Sequence, residues 1–501
     1  MKKTRILAGL LAALMLAGSL AACAKGDTEP TDTKSPSDTS AETGDAITDN
    51  LPADLNYGGE EITIISRYLE GWTSGEIAVP GIKSEPVNDS VFERNKDVES
   101  RLNIKITSIE SNTSNEHEVV NKVATAVKAG THEYDVMAAA CYAALPETLN
   151  GTFVNLLSSD LTYLDFEQPW WSQGFNEVVE YSDLQYVITG DALITLYRMA
   201  MVTVFNQKLF TDANQTYLYE YVDNGTWTLD KQTSLVPLFH RDNGNGVQDD
   251  QGDVYGFASG TLASIDAYWS SCRVDIIKKD KDGIYEVVLD LDKIHGVADK
   301  VLSLFYGTDG ASRIITTGGY AGYDETRDLF ASGNAAMATL HIMSLESAAM
   351  RNMTDQYGVV PMPKYDEKQD GYNTLLHDQF TVFSVPTTVA GDRLSMVGAV
   401  LEAMGSASYR IVRPAYYETT LRTKLAQDPQ SAEMMEIIIR NIYIDAGIIY
   451  TGSLPGYQGG LRSLVSGKQN DAVSRFTVMN KTASKSLKNI VKKLDKLADG
   501  V

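Results

Sequence analysis

The chain has 501 residues and carries 66 Asp and Glu against 43 Lys and Arg, a formal net charge of −23. That balance excludes nucleic acid as a partner, because displacing counterions from phosphates needs basic patches. With 43% hydrophobic residues and only three cysteines, the chain is globular, large enough for roughly two or three domains, and not built on a disulfide framework.

In chain order, Lys2, Lys3 and Arg5 precede an apolar run, Ile6 to Leu20, interrupted only by Gly9, Gly18 and Ser19. The run is short for a bilayer, where a spanning helix needs about 20 apolar residues, and has the build of a secretory signal. It ends in Leu20-Ala21-Ala22-Cys23, which resembles the lipobox of bacterial lipoproteins. The resemblance implies removal of residues 1–22, acylation of Cys23, and a body held at the extracytoplasmic face of the cell membrane by its acyl chains. From Cys23 to Asn56 the chain is Thr, Ser, Asp, Pro, Gly and Ala with few large apolar residues, and is expected to be a disordered tether. No later segment is long and apolar enough to cross a bilayer.

The body opens with alternating strand and helix. Glu61 to Ser66 is β-rich. Asn88 or Asp89 can cap a helix with Val91, Val98 and Leu102 on one face. Ile104 to Ile106 alternates as a strand, and Val119, Val120, Val123 and Val127 form a second helical face closed by Gly130. Tyr134 to Ala140 reads as a buried strand. This alternation predicts α/β architecture, a mostly parallel sheet flanked by helices, with ligands beyond the carboxyl ends of the strands. Further strands are expected at Met201–Phe205, after Phe330-Ala331-Ser332-Gly333, at Tyr357–Val360 and at Ser384-Val385. A helix with Leu394, Val397, Leu401 and Met404 on one stripe follows. Lys481 to Leu497 predicts a Lys-rich amphipathic helix with Leu487, Ile490, Val491 and Leu494 inward, a solvated face over a packed stripe rather than a membrane element. Cys141 and Cys272 are expected as two buried thiols, with a single bridge between them as the alternative.

Taken together, the Phe205-Asn206-Gln207-Lys208-Leu209-Phe210 turn, the Gly225-Thr226-Trp227-Thr228 helix start, the Phe330…Met337 strand entry, the Tyr357–Pro363 crossing and the Ser384-Val385-Pro386 strand resemble the solute-binding proteins of ABC importers, in the family that includes maltose-binding protein. The resemblance implies a two-lobed periplasmic-binding-protein-like type II fold with a ligand cleft between the lobes. Mapped here, lobe one is 57–201 plus 358–404, and lobe two is 202–357 plus 405–501. It also implies a monomer that captures a small solute, a sugar or oligosaccharide, and delivers it to an ABC permease, with no cofactor, no metal and no catalytic residues. A surface-anchored glycan hydrolase, or a sensor or adhesin on the same fold, is the alternative.

By position in that family, the expected ligand contacts are Arg67, Tyr68 and Trp72 after the first strand, Tyr142 after the third, and Arg198 before the first crossing. Tyr268, Trp269, His341, His377, Asp378 and Tyr457 complete the set. Tyrosine and tryptophan supply flat area with a polar tip, and charged groups fix orientation. Trp170 and Trp171 are expected to pack. Two departures count against maltodextrin: Met343 stands where a stacking tryptophan is expected, and Met199 where an acidic sugar contact is. Arg241 to Asp250 resembles a calcium loop, but Arg241 occupies the first ligand position and no Glu closes it, so an acidic surface turn is the better reading.

Overall fold

The computed structural model describes residues 48–82, 84–247, 252–417, 429–454 and 456–499. The signal run, Cys23 and the tether as far as Ile47 lie outside the described residues, as do Gln248, Asp249 and Asp250 of the acidic loop.

The first sheet is built from β1 (Glu60–Tyr68), β2 (Ile104–Asn112), β3 (Val136–Ala140) and, from far along the chain, β9 (Thr381–Ser384). Its spatial order is β9-β3-β1-β2. β1 pairs in parallel with β2, from Glu60↔Ile104 to Tyr68↔Asn112, and with β3, while β9 runs antiparallel to β3. Alternation in β1 sorts its side chains. Ile62 and Ile64 join Val98 and Leu102 of α1 (Pro86–Leu102), together with α7 (Asp392–Ala407). Ile65 faces the other way, with Val119, Val120 and Val123 of α2 (Glu118–Ala129).

The second sheet contains β4 (Met201–Asn206), β5 (Phe257–Gly260), β6 (Ser312–Ile315), β7 (Met337–His341) and β8 (Tyr357–Val360), in the order β8-β4-β7-β5-β6. β5 is parallel to β6 and β7; β4 is antiparallel to both its neighbours because it enters the lobe against their direction. Helices α4 (Ala263–Ser271), α5 (Leu291–Tyr306), α6 (Gly319–Ala331), α8 (Pro429–Arg440), α9 (Tyr457–Gly467) and α10 (Ala472–Ala498) belong to this lobe or pack on it. No helix among the described residues is long and apolar enough to cross a membrane.

Several boundaries differ from expectation. The end of the expected tether is packed: Leu51 is buried with Val98 and Leu102, and Asp49 accepts a hydrogen bond from Arg101 at 2.5 Å. α1 starts at Pro86, whose missing N–H costs nothing in a first turn; Asn88 and Asp89 sit inside that turn rather than before it. β8 pairs with β4, Tyr357↔Asn206, so the chain leaves the second lobe after Val360 and not at Gly358. Ser408–Val412 continues from α7 and packs on α1, with Arg94 Nη1 3.5 Å from Ser408 Oγ, so the last crossing also lies later than Met404. α10 begins nine residues before the expected Lys481. Cys141 and Cys272 are both buried and free. Trp170 and Trp171 are buried, and the Trp171 indole donates to Glu402 at 3.1 Å.

Candidate functional site

The carboxyl ends of both sheets converge on one polar cavity of about 640 Å³. From the first lobe, β1 delivers Arg67 and Tyr68 and runs into a tight loop. The amides of Trp72, Thr73 and Ser74 all donate to the Leu69 carbonyl, and Thr73 Oγ1 donates to the Arg67 carbonyl at 2.9 Å. That loop aims Trp72 into the cavity. From the second lobe, α6 opens at Gly319, in the left-handed region at φ 64, and presents Tyr320 and Tyr323 one turn apart. β7 ends at His341, and the following Met343, Ser344 and Glu346 line the cavity with Arg198.

Trp72 is where side chains of the two lobes meet at the cavity. Its ring is edge-on to Tyr320 at 4.5 Å, tilted against Tyr323 at 5.7 Å and edge-on to His341 at 5.4 Å. Beside it, the Tyr320 hydroxyl sits in a ring of polar groups from the first lobe. The Arg67 guanidinium donates to it, it donates to Glu116 Oε1 at 2.5 Å, and Gln379 Oε1 is 2.9 Å away. Arg67 also donates to Gln379 at 3.3 Å. The Tyr320 hydroxyl is thus held between a guanidinium donor, a carboxylate acceptor and an amide oxygen, which pins α6 to the first lobe. Burial and the nearby Glu116 carboxylate push the Tyr320 phenol up to about 12, so it stays protonated.

Arg198 bridges the lobes at the cavity wall, donating to Glu346 at 3.0 and 3.2 Å and to the Ser74 carbonyl at 3.1 Å. Tyr416 donates to the same Glu346 at 2.9 Å. A second cavity arginine, Arg327, is paired with Asp324 and Asp328. Glu70, Glu85 and a third arginine, Arg351, also stand on the lining, so the cavity wall carries both signs of charge.

Behind Trp72 lies a buried polar cluster. His341 Nε2 and His377 Nδ1 are 3.0 Å apart, and His377 Nε2 is 3.3 Å from Asp378. Burial lowers His341 to about 3 and holds His377 well below its usual value, so both rings are neutral. Burial raises the Asp378 carboxyl to about 7 against the opposing pull of Arg462 and the Gln458 amide, which donates to it at 2.8 Å. Arg67 Nε and His341 Nδ1 are buried without a hydrogen-bond partner among the described residues.

The expected contacts therefore divide. Trp72 and Arg198 line the cavity, Arg67 belongs to the hydroxyl-holding ring, and His341, His377 and Asp378 support it from behind. Tyr142 is half-buried beside His117 on the first lobe, 5.5 Å between ring centres. The Tyr68 hydroxyl bonds to Glu70 on the cavity lining. Tyr268 and Trp269 are not on the cavity lining: both are buried in α4, where Tyr268 meets Thr339 at 3.2 Å and Trp269 packs edge-on against Phe476. Tyr457 is likewise buried at the start of α9, its hydroxyl 3.4 Å from Asn480. Sequence reasoning did not single out Tyr320, Tyr323, Glu116, Gln379 or Glu346. The one signal available was a tyrosine pair three residues apart behind a double glycine. On the acidic loop, the side-chain oxygens of Asp242, Asn243 and Asn245 accept from backbone amides of the same turn.

No family model matches the chain, and no curated protein matches it. Solved structures do. An ABC substrate-binding protein from Listeria monocytogenes in complex with cycloalternan has a TM-score of 0.52 at 14% identity, over 88% of this chain and 99% of the other. The GacH receptor of Streptomyces glaucescens, solved unliganded and with acarbose, gives 0.56 at 12% identity, covering 86% and 99%. UgpB from Mycobacterium tuberculosis, in complex with glycerophosphocholine, gives 0.54 at 14% identity, covering 87% and 99%. The fold is thus the two-lobed α/β fold of ABC solute-binding proteins.

Proposed function

We propose that this chain is an extracytoplasmic receptor that captures a hydroxyl-rich solute, a sugar or oligosaccharide, between its lobes and delivers it to an ABC permease. Acylation of Cys23 would hold it at the membrane, as a monomer. The observation that carries this reading is the Tyr320 hydroxyl held by Arg67, Glu116 and Gln379 beside the Trp72 ring, since that set of groups suits a sugar hydroxyl and an adjacent C–H face. The fold likeness to receptors solved with cycloalternan and acarbose points the same way. Closure needs a solute that binds the closed state better than the open one, and a cavity made by both lobes meets that condition.

The test is thermal unfolding against a panel of sugars, polyols and oligosaccharides, with each solute analysed afterwards. A ligand at a hundred times its dissociation constant adds about 2.7 kcal/mol. The reading expects one carbohydrate class to raise the midpoint and to be recovered unchanged. A solute that is consumed would move the assignment to a hydrolase, and a panel without effect would overturn the carbohydrate assignment.

A further inference from the structure

The protein is strongly acidic, yet one face of its last helix is not. In α10, Lys481, Lys485, Lys488, Lys492 and Lys496 recur every three or four residues, and Lys493 stands beside them. At 3.6 residues per turn this spacing keeps the first five on one stripe, about 22 Å long. All six are exposed, and none has an ion pair or hydrogen bond among the described residues. The only acids on this stretch are Asp495, which accepts from Tyr181 at 2.8 Å, and Asp499. The opposite face is the structural one, with Leu487, Ile490 and Leu494 buried. Six unpaired cations on a chain of net charge −23 are therefore segregated rather than scattered. Alongside runs a mainly apolar groove of about 450 Å³ between α10 and the hairpin Ile277–Val287, lined by Tyr285, Val287, Leu487 and Val491, with Lys488 and Lys492 and the acids Glu286 and Asp495 at its rim.

We infer that this lysine face of α10, with the groove at its edge, is a docking surface for anionic lipid headgroups of the membrane to which acylation of Cys23, as proposed above, would tether the chain, in place of the solvated face expected from the sequence. Charge complementarity selects the occupant: a lysine cluster is attracted by an anionic leaflet within a Debye length, about 8 Å at physiological salt, and six lysines outnumber the two acids, Glu286 and Asp495, that share the groove. From Ala24 to Ile47 the chain extends at most about 80 Å, which keeps the body within reach of that surface. Docking through α10 would lay the second lobe on the bilayer and fix the orientation of the cleft. The inference does not depend on which solute is bound.

The experiment is co-sedimentation of the compact unit Ile47–Val501, which carries no acyl chain, with phosphatidylglycerol-containing and pure phosphatidylcholine vesicles. The expected result is a partition coefficient about tenfold higher on the anionic vesicles, falling as salt is raised. The quadruple change Lys481→Gln, Lys485→Gln, Lys488→Gln and Lys492→Gln should remove that preference, while the same four positions changed to Arg should keep it. Thermal unfolding of both variants controls for folding. Equal partition on both vesicles, or a preference that survives the Gln changes, would overturn the assignment. Vesicle indifference with lysine-dependent retention on immobilised polyphosphate would overturn it in favour of a soluble polyanion.

Discussion

Glu402 shows how one buried group ties stability to pH. It sits in α7, 1% exposed, with one carboxyl oxygen accepting from the Trp171 indole at 3.1 Å and from the Asp165 amide at 3.2 Å. The other oxygen is buried with no partner. Burial raises this carboxyl from 4.5 to about 7, against the weaker pull of those two hydrogen bonds. The folded state therefore holds a proton that the unfolded chain releases near pH 4.5. The resulting stabilisation is complete below that pH and is lost as pH rises through about 7. Asp378 and Asp445, both raised by burial to about 7, act in the same sense. Urea unfolding at pH 5 and pH 8 should show Glu402→Gln to be more favourable relative to the parent at pH 8. An identical difference at both pH values would mean that the carboxyl is ionised in the fold.

At the level of elements, the crossing strand and the turn that follows it set the second lobe. Asn206 ends β4 fully buried, and its side chain accepts from the Leu209 amide at 3.0 Å, capping the short helix Gln207–Asp212. Its Nδ2 donates to Asp355 at 2.9 Å, just before β8. Replacing it by Ala removes both, and a lost cap alone costs about 1 kcal/mol. A loss of about 1–2 kcal/mol in denaturant midpoint analysis is expected; a loss below about 0.5 would show that the cap does not hold the lobe. Elements of this kind were readable in the sequence because their signals are local. β3 is an unbroken apolar run, β4 is a β-rich run broken only by Thr203 before Asn206, Gly130 closes α2 at φ 70, and Thr228 caps the helix Leu229–Leu235. The site was readable only in part. Arg67 and Trp72 follow a strand end, where the topology rule places ligands, and both lie at the centre of the site. Tyr320, Glu116 and Gln379 come from three separate segments, and nothing local shows that they meet at one hydroxyl. Tyr268 and Trp269 illustrate the opposite limit: an aromatic pair on a helix fills a core as readily as it faces a cleft, and here the two pack against Thr339 and Phe476.

For the whole molecule, the account rests on two lobes whose main sheets are separate and whose side chains meet at the cavity. Trp72 touches Tyr320, Tyr323 and His341 from across the cavity, and Arg198 ties Ser74 to Glu346. On the proposed function the solute sits at these contacts, and ligand binding and lobe closure would then be one event. The direct test is calorimetric titration of the tightest sugar from the unfolding panel into the parent and into Trp72→Ala, which removes the shared ring without touching either sheet. Aromatic residues at the centre of such sites carry a large share of the affinity. The account predicts one site per chain in the parent and binding weaker by about tenfold or more in the variant, about 1.4 kcal/mol for each factor of ten. Equal affinity in the two proteins would contradict it, because the solute would then sit somewhere other than between the lobes.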